Sequence, residues 1–328
     1  MKAVLVFGGT NFIGRVLVER LLQEQDIEVT LFNRGKTNPH LFPGVRKIYG
    51  DRDKAVPDGI ADQHWDFIID LSCYFPQSLS NILSQIQLLP SRYIFISTCS
   101  VYDNDQLQCT LRSEDAPILD CTESQAGDQS PSSYGQRKAE CERILKNSGI
   151  PFCILRPALV YGRYDPTDRL YYWLHQVQNE EALLLPDHGE KVFSATYVGD
   201  LVNVILLSLK QETESQVFNV TTVPTLSISQ LVTTAAKILR KSTKSLNISS
   251  TLLKSEGIAE WKDIPLWLNS DFFTYDNSKV KSHLGFSPTA FSESIQETIS
   301  YYEENEWPPP NYGITKERKE DLLKLVNP

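Results

Sequence analysis

A tyrosine and a lysine four residues apart are the side chains of this sequence best suited to proton transfer. Tyr134 and Lys138 open a helical pattern that runs to about Asn147, and residues four apart share one helix face. A phenol has a pKa of about 10, and a nearby ammonium group lowers it. The pair is therefore predicted to supply or remove a proton at a carbonyl or alcohol oxygen, as a general acid and base.

Hydroxyl side chains follow the strand that precedes this helix in the chain. Residues 93–98 form a strand pattern that ends in Thr98, and Ser100 comes two residues later. A hydroxyl at this strand end would orient a carbonyl, while Tyr134 protonates the alkoxide that develops as a hydride arrives. If the hydride comes from a nicotinamide dinucleotide, Lys138 would also hold the nicotinamide ribose of that cofactor. Net reduction and epimerisation through transient oxidation use the same side chains, so the sequence leaves both reactions open.

A glycine-rich turn at the start of the chain predicts a dinucleotide site. Residues 3–7 are an unbroken apolar run of strand length, and a helical pattern follows the turn. Glycines let the backbone approach a pyrophosphate, and the N–H groups of the helix N-terminus attract its charge. Asn11 stands where the middle glycine of this motif belongs; asparagine tolerates left-handed backbone, and its amide is a donor for a phosphate. The candidate cofactor-binding residues of the turn are Gly8, Thr10, Asn11, Phe12, Ile13 and Gly14.

The end of the second strand indicates which dinucleotide is bound. An acidic residue there would bind a ribose 2′-hydroxyl and repel a 2′-phosphate, but this chain has Asn33 and Arg34, followed by Lys36. A guanidinium group suits a phosphate, and Arg15 lies just inside the first helix. We therefore expect NADP(H) as the cofactor, with NAD(H) as the alternative.

Strand patterns alternate with helical patterns through the first half of the chain. This alternation predicts an α/β fold with a parallel, doubly wound sheet. Ligands of such sheets lie outside the carboxyl ends of the strands. Asp51, Leu71, Ser72 and Thr98 all fall at predicted strand ends. The first three are therefore further candidates for cofactor binding.

Composition narrows the expected partners. The 328 residues carry a formal net charge of −9, which argues against nucleic acid or a membrane surface, because both attract a basic face. No apolar run reaches the roughly 18 residues that cross a bilayer, and the first residues enter a strand directly, so no secretory signal is expected. Six cysteines show neither C-x-x-C spacing nor a metal-ligand pattern. We expect reduced thiols, no metal, a cytoplasmic location and a small-molecule substrate.

Three features allow two interpretations each. The acidic stretch 103–131 predicts either a lid over the site or a solvated surface loop. Arg163 and Arg169 are weak candidates for binding a substrate phosphate or carboxylate, and the alternative is pairing with Asp165 or Asp168. Several aromatic residues could line an apolar pocket or simply pack a second domain. They are Tyr171, Tyr172, Trp173, Trp261 and Trp267.

Seven short motifs follow one another along the chain. They are GGTNFIG (8–14), STCSVY (97–102), YGQRK (134–138), LRPALVYG (155–162), YVGDL (197–201), FNV (218–220) and DNSKV with LGFSP (276–288). In this order they resemble the extended short-chain dehydrogenase/reductases, the epimerase/dehydratase superfamily. The resemblance implies a dinucleotide-binding Rossmann domain of residues 1–162 plus 196–221. It also implies a smaller α/β substrate-binding domain of residues 163–195 plus 222–328.

The same resemblance implies roles for individual residues. Tyr134 would be the general acid and base, Lys138 its pKa-lowering partner, and Thr98 the catalytic hydroxyl. Ser100 would contact the substrate, and Pro157 would lie near the nicotinamide. A nucleotide-sugar is the family's common substrate, with a smaller carbonyl compound as the alternative. Family members are often homodimers through helices that correspond to residues 78–88 and 134–147.

Departures from the family pattern limit the reaction. Cys99 and Ser100 occupy the positions where sugar-nucleotide dehydratases carry an Asp-Glu pair, so water elimination is not expected. The glycine turn, residues 31–37 and residues 165–169 resemble an atypical branch that includes chloroplast stem-loop-binding proteins, which act on RNA. Two alternatives therefore stand beside the enzyme: a non-catalytic NADP(H)-binding sensor or scaffold, and an RNA-binding protein. The Tyr134 and Lys138 pair and the acidic charge balance favour the oxidoreductase or epimerase.

Overall fold

The chain forms two compact units in a computed structural model that describes residues 1–54, 57–103, 111–210, 214–268 and 273–326. The first unit consists of Met1–Ala158, Val198–Thr221 and Tyr275–Ser287. The second consists of Leu159–Tyr197, Thr222–Thr274 and Pro288–Pro328. Helices and strands are numbered below along the whole chain.

A seven-stranded sheet forms the centre of the first unit. Its strands are β1 (Lys2–Phe7), β2 (Ile27–Asn33), β3 (Arg46–Tyr49), β4 (Phe67–Asp70), β5 (Arg92–Ile96), β6 (Phe152–Pro157) and β10 (Gln216–Val220). The strand order is β10-β6-β5-β4-β1-β2-β3, and every neighbouring pair is parallel. The central strands are apolar along their length because both faces are covered. The predicted α/β fold with a parallel, doubly wound sheet is confirmed.

Helices cover this sheet. They are α1 (Phe12–Leu21), α2 (Asp58–Ala61), α3 (Pro76–Gln85), α4 (Glu123–Gly127), α5 (Tyr134–Asn147), α7 (Val198–Lys210) and α10 (Ser278–Leu284). Helix α1 packs against α7, and α3 packs against α5. Leu79 and Ile82 of α3 share a buried apolar cluster with Leu145 of α5 and with Ile68 and Phe95 of the sheet. The helix predicted over residues 134–147 therefore presents one face to the core.

The sheet order determines where a ligand lies. From β1 the chain passes to β2 and β3 on one side, and from β4 to β5, β6 and β10 on the other. A parallel sheet brings all carboxyl ends of the strands to one edge, and the point of reversal between β1 and β4 leaves a crevice there. The glycine turn follows β1, so its N–H groups open at that crevice.

The second unit is a smaller α/β structure. Its strands are β7 (Leu159–Tyr161), β8 (Ala182–Pro186), β9 (Val192–Tyr197), β11 (Val223–Ser227) and β12 (Lys244–Ile248). Its helices are α6 (Arg169–Asn179), α8 (Ile228–Leu239), α9 (Ser250–Ser255), α11 (Phe291–Glu304) and α12 (Lys316–Val326). One sheet has the order β11-β9-β7, and β12 pairs with β8 in a second. Helix α8 packs against both α6 and α11.

Four of the five candidate pocket aromatics are core residues of this unit. Tyr171, Tyr172, Trp173 and Trp267 are each at most 5% exposed. The Tyr171 ring stacks on Tyr302 with centroids 3.6 Å apart, and the Trp173 indole donates to the Pro265 carbonyl at 2.7 Å. Their sequence pattern therefore reflects packing rather than a pocket.

Three segments lie in a different unit from the one predicted. Residues 159–162 and 196–197 lie in the second unit, because β7 pairs with β9. Tyr275–Ser287 lies in the first, because α10 packs against β10 and the Asn277 side chain donates to the Thr221 carbonyl at 2.8 Å. Sequence order alone does not reveal such a return of the chain.

No helix within the described ranges combines the length and apolar character that a bilayer crossing requires. The cysteines that the structure describes are free thiols: Cys73, Cys99, Cys121, Cys141 and Cys153. Cys109 lies outside the described residues.

Candidate active site

The turn after β1 requires glycine at three positions. Gly8 and Gly9 have φ values of 110° and 97°, which side chains rarely allow. A Cβ on Gly14 would lie 2.6 Å from the Gly9 backbone nitrogen, so helix α1 can approach the turn only without a side chain there. This close approach forms the cradle that a pyrophosphate needs.

Asn11 does not use the left-handed backbone that the sequence suggested for it. Its φ and ψ are −139° and 149°, which is extended, and the positive φ of 29° falls on Phe12. Asn11 is exposed and makes no side-chain capping bond to α1. The first N–H groups of the helix and the Asn11 amide therefore remain suited to an anion. Ile13 is partly buried in the first turn, and Thr10 is buried, with its carbonyl accepting from the Asn38 amide at 2.9 Å.

Two cations follow β2, in the position that the sequence predicts to select the cofactor. The Asn33 side chain is engaged locally, since its Oδ1 accepts from the Gly35 N–H at 2.8 Å and its Nδ2 lies 3.5 Å from the Gly8 carbonyl. Arg34 and Lys36 are exposed. Asn33 thus shapes the loop, and the two cations are left at its surface.

The segments after β3 and β4 are joined by an ion pair that the sequence analysis did not predict, between the partly buried Arg52 and the fully buried Asp70. Arg52 donates to both carboxylate oxygens of Asp70, at 2.8 and 2.7 Å. The Tyr93 hydroxyl and the Ser72 N–H also donate to Asp70, at 2.7 and 3.1 Å. Burial opposes the charge on Asp70, but Arg52 and these donors hold its pKa below the usual range. The network joins two predicted cofactor-binding segments.

The predicted residues beside this ion pair lie at the same sheet edge. The Leu71 side chain packs over the glycine turn, 3.7 Å from where a Cβ on Gly8 would stand. Ser72 Oγ lies 3.4 Å from the Arg52 guanidinium. Asp51 is partly buried and accepts from the Asp53 N–H at 3.2 Å. Leu71 and Ser72 therefore line the turn, and Asp51 precedes Arg52 at the end of β3.

Lys138 is held firmly at the ends of β4 and β5. Its Nζ donates to the Cys73 carbonyl at 2.8 Å and to the Ile96 carbonyl at 2.6 Å. It also lies 4.0 Å from the centroid of the Phe95 ring, and the residue is only 3% exposed. Two of the three ammonium donors thus fix a positive charge at the sheet edge.

A glycine contact brings the start of α5, where Tyr134 lies, against the segment that carries the hydroxyl side chains. Tyr134 is the first residue of α5, and a Cβ on the next residue, Gly135, would clash with the Ser100 carbonyl oxygen. The turn at Cys99–Val101 is capped by Thr98, whose Oγ1 accepts from the Ser100 N–H at 3.1 Å and lies 3.2 Å from Ser100 Oγ. The start of α5 therefore packs directly on the segment that carries Thr98 and Ser100.

A second tyrosine stands in this site without having been predicted. The Tyr74 ring lies 6.2 Å from the Tyr134 ring, centroid to centroid, and 5.8 Å from Lys138 Nζ. It follows β4 by four residues and is 50% exposed. Tyr74 and Tyr134 are far apart in the chain, so the sequence did not predict that their rings lie close together.

A buried ion pair joins α5 to strand β6. Glu142 and Arg156 form two hydrogen bonds, at 2.9 and 2.6 Å, and are 0% and 1% exposed. The Ser97 hydroxyl donates to Glu142 at 2.6 Å. Burial disfavours the Glu142 charge, but Arg156 and Ser97 hold its pKa below the usual range. Glu142 lies four residues after Lys138 on one helix face, a spacing that indicates neither its burial nor its pairing with Arg156.

The acidic loop is anchored just ahead of Tyr134. Asp128 accepts from the Ser130 and Ser133 hydroxyls at 2.5 and 2.6 Å, and these bonds lower its pKa to about 2. The Arg137 guanidinium donates to the Asp128 and Ser130 carbonyls. This end of the predicted lid is thus tied to α5, while residues 104–110 of the same stretch lie outside the described residues.

The remaining candidates lie at the end of β6 and in the second unit. Pro157 ends β6, is buried and pairs with Val220. The Arg163 guanidinium lies 5.3 Å from the Tyr164 ring centroid. Arg169 lies 5.2 Å from the Trp261 ring centroid and donates to Thr167 Oγ1 at 3.0 Å. The role of Arg163 and Arg169 in substrate binding stays a prediction.

Among the residues the structure describes, no group of three or more His, Cys, Asp or Glu side chains could hold a metal ion.

The parallel sheet and the glycine turn at its edge have the arrangement of a Rossmann-type fold. The chain belongs to the NAD dependent epimerase/dehydratase family, whose sequence model matches residues 4–221. This confirms the family resemblance seen in the motifs.

Solved structures share the fold at low identity. UDP-glucose 4-epimerase from Thermotoga maritima, solved with UDP-glucose, is 17% identical, with a TM-score of 0.72 over 93% of this chain and 99% of that one. UDP-glucuronic acid 4-epimerase from Bacillus cereus, solved with NAD, is 20% identical, with a TM-score of 0.68 over 93% and 100%. dTDP-glucose 4,6-dehydratase from Bacillus anthracis, solved with NAD, is 17% identical, with a TM-score of 0.71 over 94% and 98%.

A curated relative belongs to the branch suggested by the atypical motifs. The chloroplast stem-loop binding protein of 41 kDa b from Arabidopsis thaliana is 27% identical over 237 residues. The match covers 67% of this chain and 58% of the relative. The chain therefore spans less than two thirds of that relative's length.

Proposed function

We propose that the chain is an NAD(P)-dependent oxidoreductase or epimerase that acts at a carbonyl or alcohol carbon, with Tyr134 as general acid and base. The observation that carries this proposal is the fixed ammonium of Lys138. Lys138 lies on the helix that begins with Tyr134, and its ammonium group donates to the Cys73 and Ile96 carbonyls. These carbonyls lie at the sheet edge where Thr98 and Ser100 also lie. The family, described as NAD dependent, supports the general kind of enzyme.

Each residue of the site has a distinct task in this mechanism. A bound nicotinamide would supply the hydride chemistry. Tyr134 Oη transfers the proton to or from the substrate oxygen, and the positive charge of Lys138 favours the phenolate. The hydroxyls of Thr98 and Ser100 orient that oxygen. In an epimerisation the same residues would act in both directions: Tyr134 would first take the proton from the substrate hydroxyl and then return it to the same oxygen.

The residues at the sheet edge fit a dinucleotide. The uncapped N-terminus of α1 and the turn at Gly8–Gly14 suit the pyrophosphate, and Leu71 and Ser72 line the crevice beside it. Asp51 would contact the adenine half, and Lys138, Tyr134 and Pro157 would contact the nicotinamide half. We propose NADP(H) rather than NAD(H), because Arg34 and Lys36 are exposed cations after β2, where an acidic residue would select NAD(H).

Replacing Arg34 by alanine is expected to weaken NADPH binding by roughly 10- to 100-fold and to leave NADH binding nearly unchanged. The reason is the loss of a charge-assisted hydrogen bond to the 2′-phosphate, which only NADPH carries. Calorimetric titration with both ligands measures the effect. Arg20→Ala, which removes an exposed arginine from α1, is the matched control. Equal losses for both ligands would remove the 2′-phosphate interpretation.

The substrate class is supported less directly. Solved relatives of the same fold act on UDP-sugars, which supports a nucleotide-sugar, while a smaller carbonyl compound stays the alternative. Cys99 and Ser100 in place of an acidic pair argue against a dehydratase.

The curated relative is named for stem-loop binding, so RNA binding is the second candidate function. A homodimer through α3 and α5 and a cytoplasmic location stay predictions.

Calorimetric titration with NADPH, NADH and a structured RNA tests the proposal. Selective NADPH binding without RNA binding would support the enzyme and justify a screen of nucleotide-sugars and small carbonyl compounds. RNA binding without dinucleotide binding would refute it. Dinucleotide binding without turnover in that screen would favour the sensor or scaffold.

A further inference from the structure

The loop between β4 and α3 is clamped by two consecutive residues of α5. Lys138 Nζ donates to the Cys73 carbonyl at 2.8 Å, and Arg137 Nε donates to the Tyr74 carbonyl at 3.3 Å. The Arg137 guanidinium also lies 5.0 Å from the Phe75 ring centroid. Both cations are buried, at 3% and 4% exposure. The backbone of Tyr74 is therefore fixed relative to the helix that carries Tyr134.

This clamp leaves the Tyr74 side chain partly exposed beside the proton-transfer pair. Its ring is 6.2 Å from that of Tyr134 and tilted by 41°. Lys138 Nζ lies 5.8 Å from the ring centroid, close enough for a cation–π contact. Half of the residue is open to solvent. A large aromatic side chain held in place but not buried is available to a ligand.

The sheet order indicates which part of a dinucleotide would meet Tyr74. Arg34 and Asp51 follow β2 and β3, on one side of β1, whereas Tyr74 follows β4, on the other side. A dinucleotide lies across the point of reversal with its halves on opposite sides. Tyr74 thus lies on the side of Lys138 and Tyr134, away from the 2′-phosphate position.

We propose that Tyr74 is a further cofactor-contact residue, whose phenol donates a hydrogen bond to the nicotinamide half of the dinucleotide. The inference rests on the proposed function, because it requires a dinucleotide at this edge. Desolvation raises the pKa of Tyr74, and the neighbouring Tyr134 raises it further. Tyr74 therefore keeps its proton near neutral pH and remains a donor, a role distinct from the proton transfer assigned to Tyr134.

Binding measurements on Tyr74→Phe and Tyr74→Ala test this contact. Phenylalanine keeps the ring and removes the donor, and alanine removes both. We expect NADPH to bind about threefold more weakly to the first variant and about tenfold more weakly to the second. Binding of 2′,5′-ADP, which lacks the nicotinamide half, is expected to stay unchanged. If the wild type prefers NADH, the same comparison uses NADH and 5′-ADP.

Tyr49 supplies the matched control. It is 55% exposed at the end of β3, on the adenine side. Tyr49→Ala is expected to keep the wild-type ratio of NADPH to 2′,5′-ADP affinity, whatever it does to each ligand. An unchanged ratio in both Tyr74 variants would overturn the inference while the proposed function stands. Failure of the wild type to bind either dinucleotide would overturn the proposed function, and the inference with it.

Discussion

Replacing Tyr134 by phenylalanine is expected to lower kcat by about 10²–10⁴-fold, the usual contribution of a positioned general acid and base. The substitution removes only the hydroxyl at the start of α5. Gly135 still allows the close approach to Ser100, and Lys138 keeps its bonds to the Cys73 and Ile96 carbonyls. The site should therefore keep its shape and lose its proton carrier.

The measurement needs both turnover and cofactor binding. Turnover is followed as NADPH oxidation with carbonyl compounds and as interconversion of UDP-glucose and UDP-galactose, and NADPH affinity is measured by calorimetry. We expect the affinity to change by less than about threefold, since one hydrogen bond at most is lost. Tyr49→Phe removes an equally simple phenol from the end of β3 and should leave kcat unchanged. A Tyr134→Phe enzyme with normal turnover would remove Tyr134 from the mechanism.

Replacing Glu142 by glutamine is expected to lower the free energy of unfolding by about 3–5 kcal/mol. The change leaves the Arg156 guanidinium buried without its counter-charge, and breaking a buried ion pair from one side costs about this much. Glu142 also accepts from Ser97, the residue before Thr98. Weakening this contact should loosen the segment on which the active-site hydroxyls stand, so turnover should fall together with stability.

The same helix offers a matched control for this experiment. Glu140 pairs with Arg143 at 2.7 Å, but both side chains are about one third exposed. Exposed pairs contribute at most about 1 kcal/mol, so Glu140→Gln should be close to neutral in urea denaturation. Equal effects of the two substitutions would contradict the assignment of a supporting role to the buried pair.

The pH dependence of stability gives a second readout for Glu142. Its pKa is lower in the folded chain than the value of about 4.3 in an unfolded one. The unfolded state therefore takes up this proton first as the pH falls. The contribution of Glu142 is fully present above the unfolded pKa and is lost as the pH drops through the folded one. The Glu142→Gln variant should lack this part of the acid sensitivity.

Much of the candidate site could be proposed from the sequence because its signals are local. Tyr134 and Lys138 are four residues apart on one helix, and the glycines lie within a single turn. Asp51, Leu71, Ser72 and Thr98 were assigned to strand ends, and a parallel sheet brings strand ends to one edge whatever the intervening sequence. Local spacing and strand direction therefore sufficed to choose these residues as candidates.

The contacts that sequence reasoning missed are long-range in the chain. Arg52 and Asp70 are 18 residues apart, Glu142 and Arg156 are 14 apart, and Tyr74 approaches Tyr134 across 60 positions. A single arginine or glutamate in a sequence is expected to be exposed to solvent, because most arginine and glutamate side chains are exposed. Only the packing of α3 and α5 on the sheet reveals that these charges are buried and paired.

In the glycine turn, some features follow from the sequence and others only from the tertiary structure. The sequence alone indicated a close approach of backbone to ligand, and that follows from the loss of side chains at Gly8 and Gly14. It did not indicate that Asn11 stays extended while Phe12 takes the positive φ, because backbone angles depend on how the helix meets the strand. Residue types and short spacings thus determined the family, the fold and the candidate chemistry. Tertiary structure decided which charges are buried and which unit residues 159–162 and 275–287 join, because those outcomes depend on contacts between distant segments.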